Sequence, residues 1–222
     1  MFDYSFLWSA VWNKFPELLQ GAQTTLVVAV LSIVIGTCMA LPLSVYRSHD
    51  KGVGYRLATV WVELSRNTPA LFQIYMAYFG LGAIGIQMSS FNALLISLSF
   101  NNAGYLAEVF RGGLASVPKQ QISAARSIGM TTWQSYKYVV FPQVFKIVYF
   151  PYINQVNWAL LNTSLGMIIG VRELTGATQA AQSESFRTFE FFIVAAVMYY
   201  ILFKFVSLGA RIVAWRLIGK ES

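Results

Sequence analysis

Charged residues are scarce in this chain of 222 residues: 11% are Asp, Glu, Lys or Arg, whereas 56% are hydrophobic and 16% aromatic. Soluble globular domains carry about 25% charged residues, which help to cover the surface that faces water. The mean hydropathy of the chain is +0.55. The composition therefore excludes an ordinary soluble domain. It predicts a single membrane-embedded domain over 1–222, with lipid as its main solvent.

Cysteine and histidine are nearly absent, with one of each, Cys38 and His49. A single cysteine excludes an internal disulfide, and a single histidine leaves no ligand set for a metal or a haem. The sequence contains no G-x-x-x-x-G-K-[ST] segment, so it lacks the loop with which many ATPases hold phosphates. We therefore predict no catalytic residue, no metal site and no cofactor in this chain, and we predict that it is not an enzyme.

Long uncharged runs are what the sequence has instead. A helix needs about 20 mostly apolar residues to cross a bilayer. This criterion predicts an all-α membrane protein with five transmembrane helices, at 20–46, 57–82, 89–111, 140–169 and 190–213. The aromatic-rich stretch 4–19 predicts a further, separate helix that lies in the membrane interface before the first span.

The basic residues lie mostly on one side of these spans, and this asymmetry predicts the orientation because cytoplasmic loops are enriched in Lys and Arg. The predicted cytoplasmic side holds Arg47, Lys51, Arg56, Arg111, Lys119, Arg126, Lys137, Lys146, Arg211, Arg216 and Lys220. The opposite side holds only Lys14, Arg172 and Arg187. We therefore expect a periplasmic N-terminus and a cytoplasmic C-terminus. The positive charge is expected to face anionic lipid, and no nucleic-acid partner is predicted.

A polar island at 112–139 lies on the predicted cytoplasmic side. The motif reads Ser123-Ala124-Ala125, three residues, Gly129, nine residues and then Val139-Val140-Phe141-Pro142. The small alanines permit close approach of another protein. Gly129 permits a positive φ, which would turn one short helix into the next. Thr131 and Thr132 follow it as candidate N-caps for the second helix.

This spacing resembles the cytoplasmic loop of the membrane subunits of bacterial ABC importers, which reads Glu-Ala-Ala, three residues, Gly, nine residues, Ile-x-Leu-Pro. Ser123 replaces the glutamate and Phe141 replaces the leucine, so one possible salt bridge to a partner is lost. Other segments, in the same order, resemble the branch that imports polar amino acids of the histidine, glutamine and arginine type. They are ELSRNTPAL at 63–71, AEVFRGGL at 107–114 and NTSL at 162–165.

The resemblance implies a type I ABC importer permease fold with a cytoplasmic coupling helix, in the bacterial inner membrane. It implies that this coupling loop contacts an ATPase through Ser123, Ala124, Ala125, Gly129 and Met130. The implied partners are two ATPase subunits that bind ATP and Mg, a second permease subunit, identical or related, and a periplasmic binding protein that delivers a polar amino acid. An ATPase-independent channel or secondary carrier is the alternative. Five spans without an internal repeat favour a half-transporter over a carrier.

Ionisable groups at membrane depth are costly and therefore informative. Glu63 and Arg66 are three residues apart, as are Glu108 and Arg111, so each pair shares a helical face and predicts an intrahelical ion pair that braces an inner gate. Substrate contact is the alternative for both pairs. In addition, the dipeptide at 68–69, Thr-Pro, predicts a bend or break in the second span.

Amides and hydroxyls are the better candidates for contact with a zwitterionic substrate, because Asn offers both a donor and an acceptor. Helix-to-helix hydrogen bonding is the other interpretation, and for Asn154 and Asn157 the residues alone leave the two interpretations even. The predicted substrate-binding set is Asn102, Tyr105, Asn154, Asn157 and Ser164.

Overall fold

The computed structural model describes residues 4–49, 51–217 and 219, so Lys220 of the predicted cytoplasmic set and residues 1–3 lie outside the described part. Within it the chain is helical. The helices are α1 (Trp8–Arg47), α2 (Val53–Asn67), α3 (Ala70–Ala83), α4 (Ser90–Ala115), α5 (Lys119–Ser127), α6 (Thr132–Ser135), α7 (Phe141–Asn162), α8 (Leu174–Ser185) and α9 (Thr188–Leu217). A π-helical segment, Tyr136–Val140, joins α6 to α7, and a 3-10 helix, Thr163–Ile169, follows α7.

The predicted all-α fold class is confirmed, since the five expected spans correspond to α1, the pair α2–α3, α4, α7 with its 3-10 extension, and α9. By length and composition alone, two helices are apolar enough to cross a membrane: Trp8–Arg47, with a mean hydropathy of 2.5, and Thr188–Arg216, with 2.1. The buried amides of α4 and α7 lower the hydropathy of those two helices, because side chains paired inside a helical bundle need not be apolar.

The stretch 4–19 does not form the separate interfacial helix that the sequence predicted. Residues from Trp8 onward belong to α1, a continuous helix of 40 residues. At 1.5 Å per residue it is about 60 Å long, twice the hydrocarbon thickness of a bilayer. Val11 and Leu18 are fully buried and pack with Leu174 of α8 and Phe191 of α9. This protein contact keeps the first turns aligned with the rest of α1.

The second span breaks at Thr68, which has extended backbone angles, so the predicted interruption is confirmed. Side chains take the carbonyl oxygens that the break leaves free. The Ser65 carbonyl accepts hydrogen bonds from the amides of Gln73 and Asn101, both at 2.9 Å. The Gln73 amide also donates to the Thr68 carbonyl at 3.2 Å. The break is therefore closed by side chains from α3 and α4, as a polar backbone in an apolar medium requires.

Helix α4 is the centre of the bundle and packs chiefly against α1, with α2 and α7 on its other sides. Gly104 makes the contact with α2 possible. A Cβ added there would lie 1.7 Å from the Ser65 Oγ and 2.8 Å from its Cβ, and Ser65 is fully buried. The backbones of α2 and α4 thus approach closely beside the helix break.

We expect Gly104→Val to lower the melting temperature of the purified protein in detergent, because forced overpacking of a tight interface costs about 1–3 kcal/mol. Gly112→Val is the matched control. It lies on the same helix, and a Cβ at Gly112 meets nothing within 4 Å. Equal melting temperatures for the two variants would contradict the tight α2–α4 contact.

Candidate functional site

The loop 112–139 forms two short helices, α5 and α6, around a sharp turn. Gly129 has φ 91°, as the sequence predicted. The Met130 amide donates to the Ala125 carbonyl at 3.1 Å, which closes the end of α5. Thr131 caps α6 reciprocally: its hydroxyl accepts from the Gln134 amide at 3.2 Å, and the Gln134 side chain accepts from the Thr131 amide at 2.8 Å. The predicted turn and N-cap are both confirmed.

The turn presents large apolar side chains to the outside. Ile128 is 76% exposed and Trp133 is 67% exposed, on either side of Gly129. Ser123 and Ala124 are exposed with them, whereas Ala125 is buried against the body of the protein. A Trp and an Ile held out on a rigid turn are typical of a surface that another protein covers. The motif-based prediction missed both residues, although a Trp in a polar loop was a signal of this surface.

The loop is packed onto the membrane helices and cannot move independently of them. Val117, Val140, Val144 and Val148 form a buried apolar cluster, against which Ile122 of α5 packs. Because dense packing transmits displacement rather than absorbing it, the cluster couples α5 to the first turns of α7. The Gln143 amide adds a polar tie by donating to the Gln121 side chain at 2.7 Å.

Three arginines from three helices meet one carboxylate near the loop end of the bundle. Arg111 makes a two-pronged contact with Glu108, at 3.0 and 2.8 Å. Arg47 of α1 lies 3.4 Å and Arg66 of α2 lies 3.7 Å from the same carboxylate. We call this the Glu108 cluster. It ties α1, α2 and α4 together at one level.

Of the two predicted intrahelical ion pairs, one is present in the structure and the other is not. Glu108 and Arg111 form the intrahelical ion pair, but Arg66 does not pair with Glu63, which makes no ion pair among the described residues. The reason is the environment of Arg66. Its guanidinium lies 5.4 Å from the centre of the Tyr105 ring on α4, which draws it toward Glu108 and away from its own helix. Glu63 remains exposed.

Two residues of the predicted substrate set, Asn102 and Tyr105, are engaged within the chain. Asn102 is fully buried; its amide donates to the Ser32 hydroxyl at 3.2 Å and its carbonyl accepts from Gln155 at 2.8 Å. It therefore links α1, α4 and α7. Tyr105 donates to the Arg66 carbonyl at 3.4 Å. It also lines a cavity of about 380 Å³ with Arg66, Glu108 and Pro151.

The other three lie on or beside α7, but they do not form one site. Asn154 is exposed, and its side chain makes no hydrogen bond to another described residue. Asn157 is buried; its amide donates to the Ser207 hydroxyl of α9 at 3.2 Å, whereas its carbonyl oxygen is without a partner in the described chain. Ser164 lines a separate cavity of about 610 Å³ between α7, α8 and α9.

Glu173 is a buried carboxylate whose surroundings the sequence did not reveal. It caps α8 by accepting from the Thr175 and Gly176 amides at 2.9 and 2.8 Å, and it accepts from the Tyr199 hydroxyl at 2.8 Å. Burial raises the pKa of the Glu173 carboxyl. The arrangement fixes α8 between α1 and α9. Among the described residues there is no group of three or more His, Cys, Asp or Glu side chains that would hold a metal.

An apolar helical bundle with a broken second span and an exposed, rigid two-helix loop is typical of membrane subunits of transporters. The comparisons give the family. The sequence matches the binding-protein-dependent transport system inner membrane component over residues 32–218, and the chain belongs to that family.

Named relatives span almost the whole chain. The glutamine transport system permease protein GlnP of Escherichia coli is 31% identical over 199 residues, which is 89% of this chain and 91% of that protein. The octopine transport system permease protein OccM of Rhizobium radiobacter is 34% identical over 225 residues, 97% of this chain and 90% of that one.

Solved structures of ABC transporters have the same fold as this chain. The membrane chain of an amino acid ABC transporter crystallised with histidines matches with a TM-score of 0.89 at 28% identity, covering 96% of this chain and all of that one. The MetNI methionine ABC transporter matches with a TM-score of 0.73 at 18% identity, over 90% of this chain and 95% of that one, which bears on the fold alone. The chain therefore has the type I importer permease fold and belongs to a family of transport permeases.

Proposed function

We propose that the chain is the permease subunit of an ATP-driven importer that carries a polar amino acid delivered by a periplasmic binding protein. One observation carries the proposal: the exposed turn around Gly129, with Ile128 and Trp133 on either side, on a loop packed against α7. The glutamine, octopine and histidine named for the relatives support an amino acid as the substrate.

The turn is proposed as the docking site of an ATPase, and Ser123, Ala124, Ala125, Gly129 and Met130 form its frame. A short amphipathic helix laid into a groove is a common way for one protein to grip another. ATP and Mg would be held by two such ATPases, one for each of two permease subunits. Their closure would push α5 and α6 against the cluster around Val140, and α7 would follow. Access would then switch from one side of the membrane to the other.

The orientation proposed is that of the bacterial inner membrane, with the N-terminus periplasmic and the C-terminus cytoplasmic. Support comes from the basic residues at the loop end of the bundle. In this orientation the loop 112–139 meets a cytosolic ATPase, and the N-terminal turns of α1 project toward the periplasm.

The substrate path is proposed to run beside α7. Asn154 is a polar side chain that no described residue satisfies, and Asn157 keeps a buried carbonyl oxygen without a partner. Such oxygens favour an ammonium group, which donates hydrogen bonds and carries the opposite charge. Tyr105 and Ser164 line neighbouring cavities. Asn102 is buried among satisfied partners, so we assign it to bracing.

We expect Asn157→Leu to raise the KM for uptake about tenfold, because a lost hydrogen bond to a charged group costs roughly 1.5–3 kcal/mol. ATPase binding should stay unchanged. Ser207→Ala is the control, since it removes the partner of Asn157 on α9 and nothing else of the site. An equal rise in KM for Ser207→Ala would show that Asn157 acts only by holding α9.

The overall test is uptake in proteoliposomes that contain the permease, its ATPase and its binding protein. We expect accumulation of labelled amino acid only when ATP is present inside the vesicles with the ATPase. Accumulation by the permease alone, driven by a substrate or ion gradient, would favour the channel or secondary carrier and overturn the proposal.

A further inference from the structure

A basic cavity lies at the loop end of the bundle, apart from the docking turn and the substrate path. It has a volume of about 650 Å³ and lies between the end of α1, the end of α4, α5 and the π-helical segment. Four basic side chains line it: Arg47, His49, Arg111 and Lys119. None of the described residues that line it is acidic.

The nearest carboxylate cannot neutralise this charge. Glu108 does not line the cavity, and it already faces three guanidinium groups. One carboxylate among three arginines leaves an excess of positive charge, to which Lys119 adds. The Arg47 Nε is buried and makes no hydrogen bond to another described residue, and its ion-pair partner is the Glu108 carboxylate at 3.4 Å. The cavity is therefore built for a negative ligand that supplies acceptor oxygens.

The carboxyl end of a helix carries partial negative charge, which would repel an anion. This repulsion is reduced at the end of α1. Side chains take its last carbonyl oxygens. The Ser48 hydroxyl donates to the Ser44 carbonyl at 2.8 Å, and the His49 Nδ1 lies 2.8 Å from the Val45 carbonyl oxygen. A carbonyl oxygen can only accept, so Nδ1 holds the proton in that bond, and the Nε2 of the neutral ring is then an acceptor that does not bind an anion.

Most of the other lining residues are apolar, and they decide which anion fits. The apolar wall consists of Val45, Leu114, Val117, Ile122 and Val140, and Ser48 and Tyr136 also line the cavity. An inorganic ion gains no binding free energy from such a wall, because burial of apolar surface is favourable only when the partner is also apolar. A basic rim on an apolar wall, at the end of a membrane bundle, matches the boundary between a headgroup and its acyl chains.

We propose that this cavity binds the phosphate headgroup of an anionic phospholipid, with the first part of an acyl chain against the apolar wall. Phosphate oxygens accept from Arg47, Arg111 and Lys119, and the lipid enters from the inner leaflet. Ile122 and Lys119 belong to α5, so a bound lipid contacts the loop helix directly. The headgroup thereby supports the base of the docking turn and makes its position depend on lipid composition.

The test measures retention of phosphatidylglycerol by native mass spectrometry of the purified protein, with phosphatidylcholine as the neutral reference. We expect one phosphatidylglycerol per chain and no retained phosphatidylcholine. Lys119→Gln should weaken retention about fivefold, the effect of one basic group near a membrane surface. Lys51→Gln is the matched control, because it removes the same charge from a neighbouring exposed loop position outside the cavity. Equal loss with both variants would overturn the site and leave only general charge attraction.

A second variant separates the site from folding. Ala115 is exposed and lines the cavity, so Ala115→Trp fills the space without removing a charge. We expect it to displace phosphatidylglycerol while the melting temperature in lipid-free detergent stays unchanged. Undisturbed binding by this variant would refute the cavity as the site.

Inorganic phosphate distinguishes the two possible sources of the anion. We expect millimolar phosphate to leave phosphatidylglycerol bound, because the free ion gains nothing from the apolar wall. Displacement of the lipid by phosphate at that concentration would overturn the lipid assignment in favour of a site for a free anion. This binding needs no ATPase and no substrate, so its outcome is independent of the proposed transport function.

Discussion

The variant Gly129→Asp is expected to abolish ATP-driven uptake while the protein still inserts into the membrane. Gly129 has φ 91°, a backbone conformation that costs a residue with a Cβ roughly 1–3 kcal/mol. Relief of that strain would tilt α6 and misplace Ile128 and Trp133 together, and a carboxylate would enter an apolar contact. The measurement is uptake in proteoliposomes, alongside co-purification of the ATPase.

A matched variant tests whether the effect depends on the position of the substitution or only on the introduced carboxylate. Gly52→Asp introduces the same charge at another glycine of positive φ, 113°, in the connection between α1 and α2. A Cβ meets nothing within 4 Å at either glycine. We expect Gly52→Asp to transport at a rate close to that of the unmodified protein. Uptake by Gly129→Asp that equals uptake by Gly52→Asp would count against the role of the turn.

The variant Glu108→Gln is expected to lower the free energy of unfolding by about 1.5–3 kcal/mol, because Glu108 is partly buried and hydrogen bonds to charged groups contribute about that much. Here three guanidinium groups from α1, α2 and α4 would lose their shared partner. Repulsion should push the three helices apart at this level. Thermal unfolding of the purified protein in detergent measures the effect.

The variant Glu63→Gln provides the comparison on α2, because Glu63 is exposed and makes no ion pair within the described chain. We expect its unfolding free energy to change by less than about 0.5 kcal/mol, as is usual for surface substitutions. Similar destabilisation by both variants would mean that Glu108 stabilises the fold by its charge alone and that the cluster geometry is irrelevant.

The local features of this chain were readable from its residues because they depend on short-range chemistry. The apolar runs predict the spans, the dipeptide Thr68-Pro69 predicts the break, and Gly129 with Thr131 predicts the turn and its cap. Each of these is decided by backbone geometry and by neighbours within a few positions. The spacing of small residues in the loop is also confined to one short segment, and it indicates the family from the sequence alone.

Contacts between helices were not readable in the same way. Spacing along one helix suggested that Arg66 pairs with Glu63, but the Tyr105 ring and Glu108 on another helix compete for it. Likewise the sequence predicts that Asn102 contacts substrate, but Ser32 and Gln155 on two other helices take the hydrogen bonds of its side chain. A pattern of one sequence shows which groups share a face, but not which face of a neighbour meets it.

The interruption in the second span has a mechanical consequence. Gln73 and Asn101 already satisfy the backbone oxygens at the gap, so the segments on either side can swivel there without breaking a helical hydrogen bond. Such a joint lets α2 tilt while α3 keeps its place. Lengthening the Asn101 amide by one methylene, as in Asn101→Gln, should restrict this movement rather than unfold the span.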